Sequence, residues 1–319
     1  METFRIGTRR SAMALAQTRE VIARLERAVP GLSGEIHTRE PRGDRDQVSR
    51  LDRHGGKGGA FVAEIRADVL AGRARAAMHS LKDMPGNEET PDLVIGAYLP
   101  RDDPRDALVL HPDVAEADIR TIGTNSVRRA ALLAGLYPQA AIVHYRGAAD
   151  SRIAKLDARG KQRLPDGGSV GPVDAIVLAV SGLARIGRAD RIARAFSTAE
   201  MLPAVGQGIV AVECAAADFE TRALLAGIDD ADARACALAE REVLWLLDGH
   251  CNSPIAGHAR LDGARLALEV AVMSPDGDEI IRASGEGERS WPRELGRTVA
   301  LDLIGRGARE LIARSDSGT

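Results

Sequence analysis

Four stretches of the chain put charged or reactive side chains at turns, where they can meet a ligand. The first is Arg5-Ile6-Gly7-Thr8-Arg9-Arg10-Ser11. It follows a short apolar strand and precedes a helix whose free N–H groups can hold an anion; the plain alternative is a solvated basic turn. The second is His79-Ser80-Leu81-Lys82-Asp83-Met84-Pro85. A carboxylate between a lysine and a proline-fixed turn suits a positioned acid or base, or else a surface ion pair. The third is Gly123-Thr124-Asn125-Ser126-Val127-Arg128-Arg129. Cations in a first helical turn oppose the helix dipole by roughly a few tenths of a kcal/mol. Two of them there point to an anion that offsets the cost, against a solvated helix face. Arg146-Gly147 and Arg152 repeat the theme after the next strand. The fourth is Asp248-Gly249-His250-Cys251-Asn252-Ser253-Pro254. Its cysteine sits on a Gly/Asn/Ser/Pro loop, accessible as a thiol in a core is not. Cys214 falls in a strand and Cys236 in a helix, so both read as buried packing.

The elements that must hold these turns follow from periodicity. A strand over Phe4–Gly7 leads to a helix capped by Ser11, with Ala14, Leu15, Thr18, Val21, Ile22 and Leu25 on one face. Gly34–Thr38 reads as a strand, Arg39–Gly59 as a long polar loop, and Phe61–Leu70 as a helix. Strands are expected over Ala74–Met78 and Leu93–Ala97, then a hinge at Pro100–Pro104. Beyond it come a strand (Ile119–Gly123), helix (Val127–Leu136), strand (Ala141–Tyr145), helix (Arg152–Ala158) and strand (Ala175–Val180). Such alternation implies α/β layers with largely parallel strands and active residues at strand-to-helix turns. Met201-Leu202-Pro203 breaks the chain again before a strand at Ile209–Val212 and a long helix at Ala231–Leu247. The last stretch changes style, with strands at Ile255–Leu261, Leu266–Met273 and Glu279–Ala283, then a closing helix over Pro292–Ala313.

Composition narrows the function classes. At 319 residues the chain is too long for one ordinary core. A net charge of −3 with 3% aromatic residues argues against nucleic acid as the main ligand. No apolar run is long enough to cross a bilayer, and Met1–Arg5 opens no secretion signal, so a cytoplasmic enzyme is expected. Lysine occurs at 57, 82, 155 and 161 alone, and arginine carries the rest of the positive charge. Arginine is the better carboxylate clamp. No cysteine pair has metal-ligand spacing.

With those motifs in order, the chain resembles the porphobilinogen deaminases. The runs GTRRS (7–11), GGKGGAF (55–61), HSLKDMP (79–85), RDDPRDAL (101–108), GTNSVRR (123–129), YRG (145–147), DAIVLAVSGLARIG (174–187), LPAVGQG (202–208) and GHCNSPIAG (249–257) carry the resemblance from about residue 4 to 312. It implies an enzyme that joins four porphobilinogen molecules head to tail on a dipyrromethane primer and releases hydroxymethylbilane by hydrolysis. The primer is a covalent cofactor, and its thioether cysteine matches Cys251. Neither metal nor nucleotide is implied. Asp83 matches the catalytic aspartate. Arg9, Arg10, Arg128, Arg129, Arg146 and Arg152 match or adjoin positions that hold acetate and propionate groups. Ser11, Lys82, Thr124 and Ser126 match polar positions around primer and substrate, as Gln17 and Gln207 do more loosely. The 39–59 loop resembles a mobile cover of the family, with Lys57 in it and Phe61 just after it.

The implied fold is α/β with three domains. Two lobes like those of periplasmic binding proteins hold mixed, largely parallel sheets. A small C-terminal α+β domain with a three-stranded antiparallel sheet carries the cofactor cysteine. The expected bounds are 1–99 with 203–217, then 100–202, then 222–319. The small-molecule substrate is the one partner implied; nucleic acid and membrane are not, and a monomer is expected. Four departures from the family pattern stand out: Ala148 where Asn is common, a longer GGKGGAF run, His250 where Gly often precedes the cysteine, and a longer 158–173 stretch read as a surface loop. The rival readings are an impaired paralogue, a solute-binding module of the same fold, and a Lys82 enzyme using an aldehyde cofactor.

Overall fold

The computed structural model describes residues 3–40, 62–88, 90–164, 166–249 and 253–317. Strand β1 (Thr3–Arg9) buries Phe4 and Ile6 on alternate positions and runs into α1 (Ala12–Ala28). Ser11 ends the strand as the N-cap of α1, its Oγ accepting the Ala14 N–H at 3.3 Å. β2 (Ser33–Arg39), α2 (Ala63–Leu70), β3 (Ala76–Ser80) and β4 (Leu93–Tyr98) follow. A short 3₁₀ turn at Leu81–Asp83 leaves the end of β3.

The second lobe holds β5 (Asp106–Leu110), β6 (Thr121–Thr124), α3 (Val127–Leu136), β7 (Ala141–His144) and α4 (Ala149–Asp157). It continues with the hairpin β8 (Gln162–Arg163) and β9 (Ser169–Val170), then β10 (Ala175–Ala179), α5 (Val180–Arg185) and β11 (Arg194–Ala195). β12 (Val210–Ala215), α6 (Phe219–Ala226) and α7 (Ala231–Leu246) come next. The chain closes with β13 (Ile255–Asp262), β14 (Arg265–Met273), β15 (Ile280–Glu288), α8 (Pro292–Gly305) and α9 (Ala308–Ser317).

Both large sheets are mixed. The first runs β2-β1-β3-β12-β4, with β1 parallel to β2 and β3 and with β12 antiparallel to β3 and β4. The second runs β11-β5-β10-β6-β7; β6 lies parallel to β7 and β10, while β5 opposes β10 and β11. β13-β14-β15 form a separate antiparallel sheet. Its core is closed by α7, α8 and α9 through Val243, Leu247, Leu295, Val299 and Leu311. Ala256, Ala271 and Met273 of that sheet share a core with Ile119, Ile122 and Leu133 of the second lobe.

The chain crosses between the two large sheets twice, near residues 99–105 and 196–209, and the crossings lie against each other. Leu99 N–H donates to Val210 O at 2.9 Å and Asp102 N–H to Gly208 O at 3.2 Å. Gly208 has φ +91°, and a Cβ there would sit 2.4 Å from Asp102 O, so the approach needs glycine. Glu240 of α7, fully buried, ties both crossings to the third sheet. Its carboxylate accepts from Arg101 at 2.6 and 3.1 Å, from Gly206 N–H at 2.6 Å and from Ala259 N–H at 2.7 Å.

Several expectations need correction. The closing helix is two helices, broken at Arg306-Gly307, where Gly307 takes φ +88°. The 158–173 stretch contains the β8–β9 hairpin, and its Gln162 is buried: Oε1 accepts from Arg146 N–H at 3.0 Å and Lys155 Nζ at 2.7 Å. The strand β5 directly after the first crossing is absent from the sequence reading. Among the described residues, no helix is long and apolar enough to cross a membrane.

Candidate active site

Between the two large sheets lies a cleft whose walls come from the turns singled out above. Arg9, Ser11, Gln17, Lys82 and Asp83 line one side, and Arg129, Gly147, Ala148, Asp150 and Arg152 the other. Each group arrives at the end of a strand. β1 ends on Arg9, β3 leads into the turn with Lys82 and Asp83, and β6 and β7 lead to α3 and α4. Sheet topology thus gathers residues that are far apart in sequence.

Asp83 Oδ2 lies 3.3 Å from Arg9 Nη1, half-buried on both sides. That pairing keeps a carboxylate in reach of solvent space while a guanidinium holds its direction. Gln17 is buried at the foot of the same wall and accepts from Ser80 Oγ at 3.0 Å. Lys82 Nζ donates to Gln207 Oε1 at 3.2 Å. Burial and the neighbouring Arg129 push its amine down to about 8.

Behind Lys82 the charges are paired. Gln207 Nε2 donates to Pro104 O at 2.7 Å and to Asp106 Oδ1 at 3.0 Å. Asp106, fully buried, accepts from Arg129 Nη2 and Arg128 Nη2, each at 2.7 Å. Arg128 also donates to Leu202 O at 2.7 Å, and Arg129 to Val177 O at 3.0 Å. Burial works to raise the Asp106 carboxyl, but the two guanidinium groups outweigh it and hold the group well below the usual carboxylate range. The anion at the start of α3 is therefore part of the protein, and Asp106 is the residue that the sequence reading missed. Two adjacent arginines at a helix start, with an Asp opening an apolar run elsewhere, are the signal that was available.

Arg152 is different. Its side chain makes no hydrogen bond or ion pair with the described residues, and its Nε is buried without a partner. Burial first, then the field of Arg129, push it below the usual arginine range. An unpaired guanidinium facing a cleft favours a bound anion.

Other expected residues lie elsewhere. Arg10 is exposed, 3.9 Å from Glu40, outside the cleft wall. Thr124 is buried and its Oγ1 accepts from Ser126 N–H at 3.2 Å, while Ser126 caps α3 through Arg129 N–H. Arg128 and Arg146 are buried outside the wall. Cys214 and Cys236 are buried free thiols, both pushed up to about 11 by burial. Lys57, Phe61, His250 and Cys251 lie outside the described residues.

Comparison with known proteins decides the family. The model described as "Porphobilinogen deaminase, dipyromethane cofactor binding domain" matches residues 4–223, and "Porphobilinogen deaminase, C-terminal domain" matches residues 234–305. This chain belongs to the porphobilinogen deaminase family. Porphobilinogen deaminase 2 of Streptomyces coelicolor is 42% identical over 317 residues, covering 98% of this chain and 96% of that protein. The porphobilinogen deaminase of Bordetella parapertussis is 39% identical over 316 residues, with 98% and 96% covered. That of Stenotrophomonas maltophilia is 41% identical over 315 residues, with 98% and 99% covered. Among solved structures, the methionine-binding protein MetQ aligns with a TM-score of 0.42 at 12% identity, covering 70% of this chain and 88% of that one.

The cofactor of the family's first domain is dipyrromethane, and the cleft of this chain fits it. Such a group carries several carboxylates and pyrrole N–H donors. Unpaired Arg152 and the amine of Lys82 answer the first, and Asp83 answers the second. Among the described residues, no group of His, Cys, Asp and Glu is arranged to hold a metal ion.

Proposed function

We propose that the chain deaminates porphobilinogen and joins four molecules head to tail on a dipyrromethane primer bound through a thioether to Cys251, then releases hydroxymethylbilane by hydrolysis. The observation that carries this reading is the cleft itself: Asp83 faces cations of which the Arg152 side chain has no partner among the described residues. Each porphobilinogen brings an acetate and a propionate, so a growing chain needs guanidinium groups. When bound, the primer supplies the nucleophilic pyrrole carbon. Arg152 and Lys82 bind carboxylates and fix the rings. Asp83 accepts pyrrole N–H groups, steadies the positive charge that develops as ammonia leaves, and takes up the proton lost from the attacking carbon. Arg9 holds Asp83 in place for these roles.

We assign residues 1–99 with 203–217 to a first domain, 100–202 to a second and 222–319 to a third that presents Cys251. The chain acts as a cytoplasmic monomer with porphobilinogen as its partner. Arg128, Thr124 and Ser126 act from behind the wall, through Asp106 and the cap of α3.

The test is the intact mass of the purified protein beside Cys251→Ser, with an acid aldehyde test for pyrrole. A mass excess of two linked pyrrole units on the native chain, absent from the variant, is expected. A native chain that stays unmodified after incubation with porphobilinogen would sink the reading in favour of an impaired paralogue or a solute-binding module.

A further inference from the structure

The turn that carries Asp83 is bound along its far side to the end of α7, the helix that leads toward Cys251. Three contacts in a row make this seam. Arg241 Nη2 donates to Pro85 O at 2.8 Å. Gly86 packs on Leu244 so closely that a Cβ would lie 2.5 Å from the leucine Cβ. Asn87 Nδ2 donates to Asp248 twice, to Oδ1 at 2.8 Å and to the backbone O at 3.3 Å.

Asp248 is where the chain leaves α7, three positions before Cys251. It has φ +54°, a left-handed conformation uncommon for a residue with a side chain. Aspartate tolerates it better than most, through local hydrogen bonds. Here one amide from another part of the chain engages both the carboxylate and the carbonyl of the bent residue. A carboxylate acceptor makes this a charge-assisted bond. Gly249 then passes between Leu244 and Ile255, where a Cβ would lie 2.6 Å from Ile255 Cδ1. The direction in which the chain departs is thus set on both sides of Asp248.

We infer that Asn87 is a positioning residue for the primer. It holds Asp248 in its left-handed bend and so fixes the departure of the Cys251 segment relative to Asp83, four residues upstream of Asn87. This rests on the roles proposed above for Cys251 and Asp83. Neither Asn87 nor Asp248 lines the cleft, so the effect passes through geometry alone. The reaction is sensitive to such geometry, because nucleophile and aspartate must meet at every addition while the primer stays on one tether.

Three variants test the link: Asn87→Asp, Asp248→Asn and the double exchange. Asn87→Asp sets two carboxylates against each other. The double exchange restores one donor–acceptor pair in the reverse sense, with asparagine at the left-handed position. Two readouts are used. One is steady-state turnover of porphobilinogen by the holoenzyme. The other is amide hydrogen exchange over residues 240–256 in cofactor-free protein, which needs no activity. Asn87→Asp is expected to lower kcat about tenfold, with KM within about twofold, and to speed exchange after Leu247. The double exchange is expected to bring kcat within about threefold of wild type and to restore protection. Wild-type kcat and exchange in Asn87→Asp would overturn the inference, as would a double exchange no better than the single. A wild-type chain that neither acquires primer nor turns over porphobilinogen fails the functional reading instead, and takes the primer role with it.

Discussion

Two regions of this molecule use the same residue type to opposite ends. At the crossings between the large sheets, every guanidinium has a protein anion. Arg101 grips Glu240, and Arg128 and Arg129 share Asp106. The cleft wall instead presents Arg152, whose side chain has no such partner among the described residues. Burial alone does not separate scaffold from binding surface, since Arg129 is more deeply buried than Arg152 and still lines the cleft. Pairing does. A buried ion pair spends its field on its partner, whereas an unpaired guanidinium keeps its field for a ligand. Arg129 belongs to both regions: it lines the cleft, yet its fork is occupied by Asp106.

The contrast is broken most strongly from the crossing side. Asp106→Asn would leave Arg128 and Arg129 buried without a counter-charge and is expected to lower stability by about 3–5 kcal/mol. Urea unfolding of the cofactor-free chain measures it. A loss below about 1 kcal/mol would mean that Asp106 is no keystone. From the cleft side, Arg152→Leu is expected to leave stability within about 1 kcal/mol of wild type, or raise it, because an unsatisfied charge has been removed. The same variant should acquire primer slowly, as intact mass against time would reveal. Equal stability losses in Arg152→Leu and Asp106→Asn would erase the distinction.

A dependence on pH sharpens it. Lys82 is held at about 8 in the folded chain against 10.5 when free. A lowered amine destabilises the fold wherever it is charged, so the penalty is full below about pH 8 and vanishes as pH rises toward 10.5. The unfolding midpoint of the cofactor-free wild type should rise relative to Lys82→Met across that window. Carboxylates bound beside Lys82 should flatten the difference. A gap that stays constant with pH would place Lys82 among the paired charges instead.

The sequence announced the cleft more fully than the crossings. Arg9, Lys82, Asp83 and Arg152 sit at strand-to-helix turns, and the period of the flanking elements locates such turns. The helix at Val127–Leu136 was legible to the residue, since Ser126 caps it and Pro138 follows. Asp106 and Glu240 were not legible. Each is a carboxylate in an apolar segment whose partner lies in another part of the chain, 22 residues away for Asp106 and 139 for Glu240. No local pattern encodes that distance. Asn87 and Asp248, 161 residues apart, were hidden for the same reason. The break at Gly307 was missed because the apolar stripe runs on through α8 into α9, and a lone glycine is weak evidence against a continuous helix.

The position of β12 has a consequence for synthesis of the chain. Within the first sheet, β4 is joined through β12 alone, and β12 also covers the open side of β3. On the ribosome, β1 to β4 emerge first but cannot assemble the sheet until Ala215 has been made. Every strand of the second sheet lies between Asp106 and Ala195 and is complete before then. The lobe encoded first therefore finishes second, and the bare edge of β3 waits in the meantime as a surface for chaperones or for mispairing.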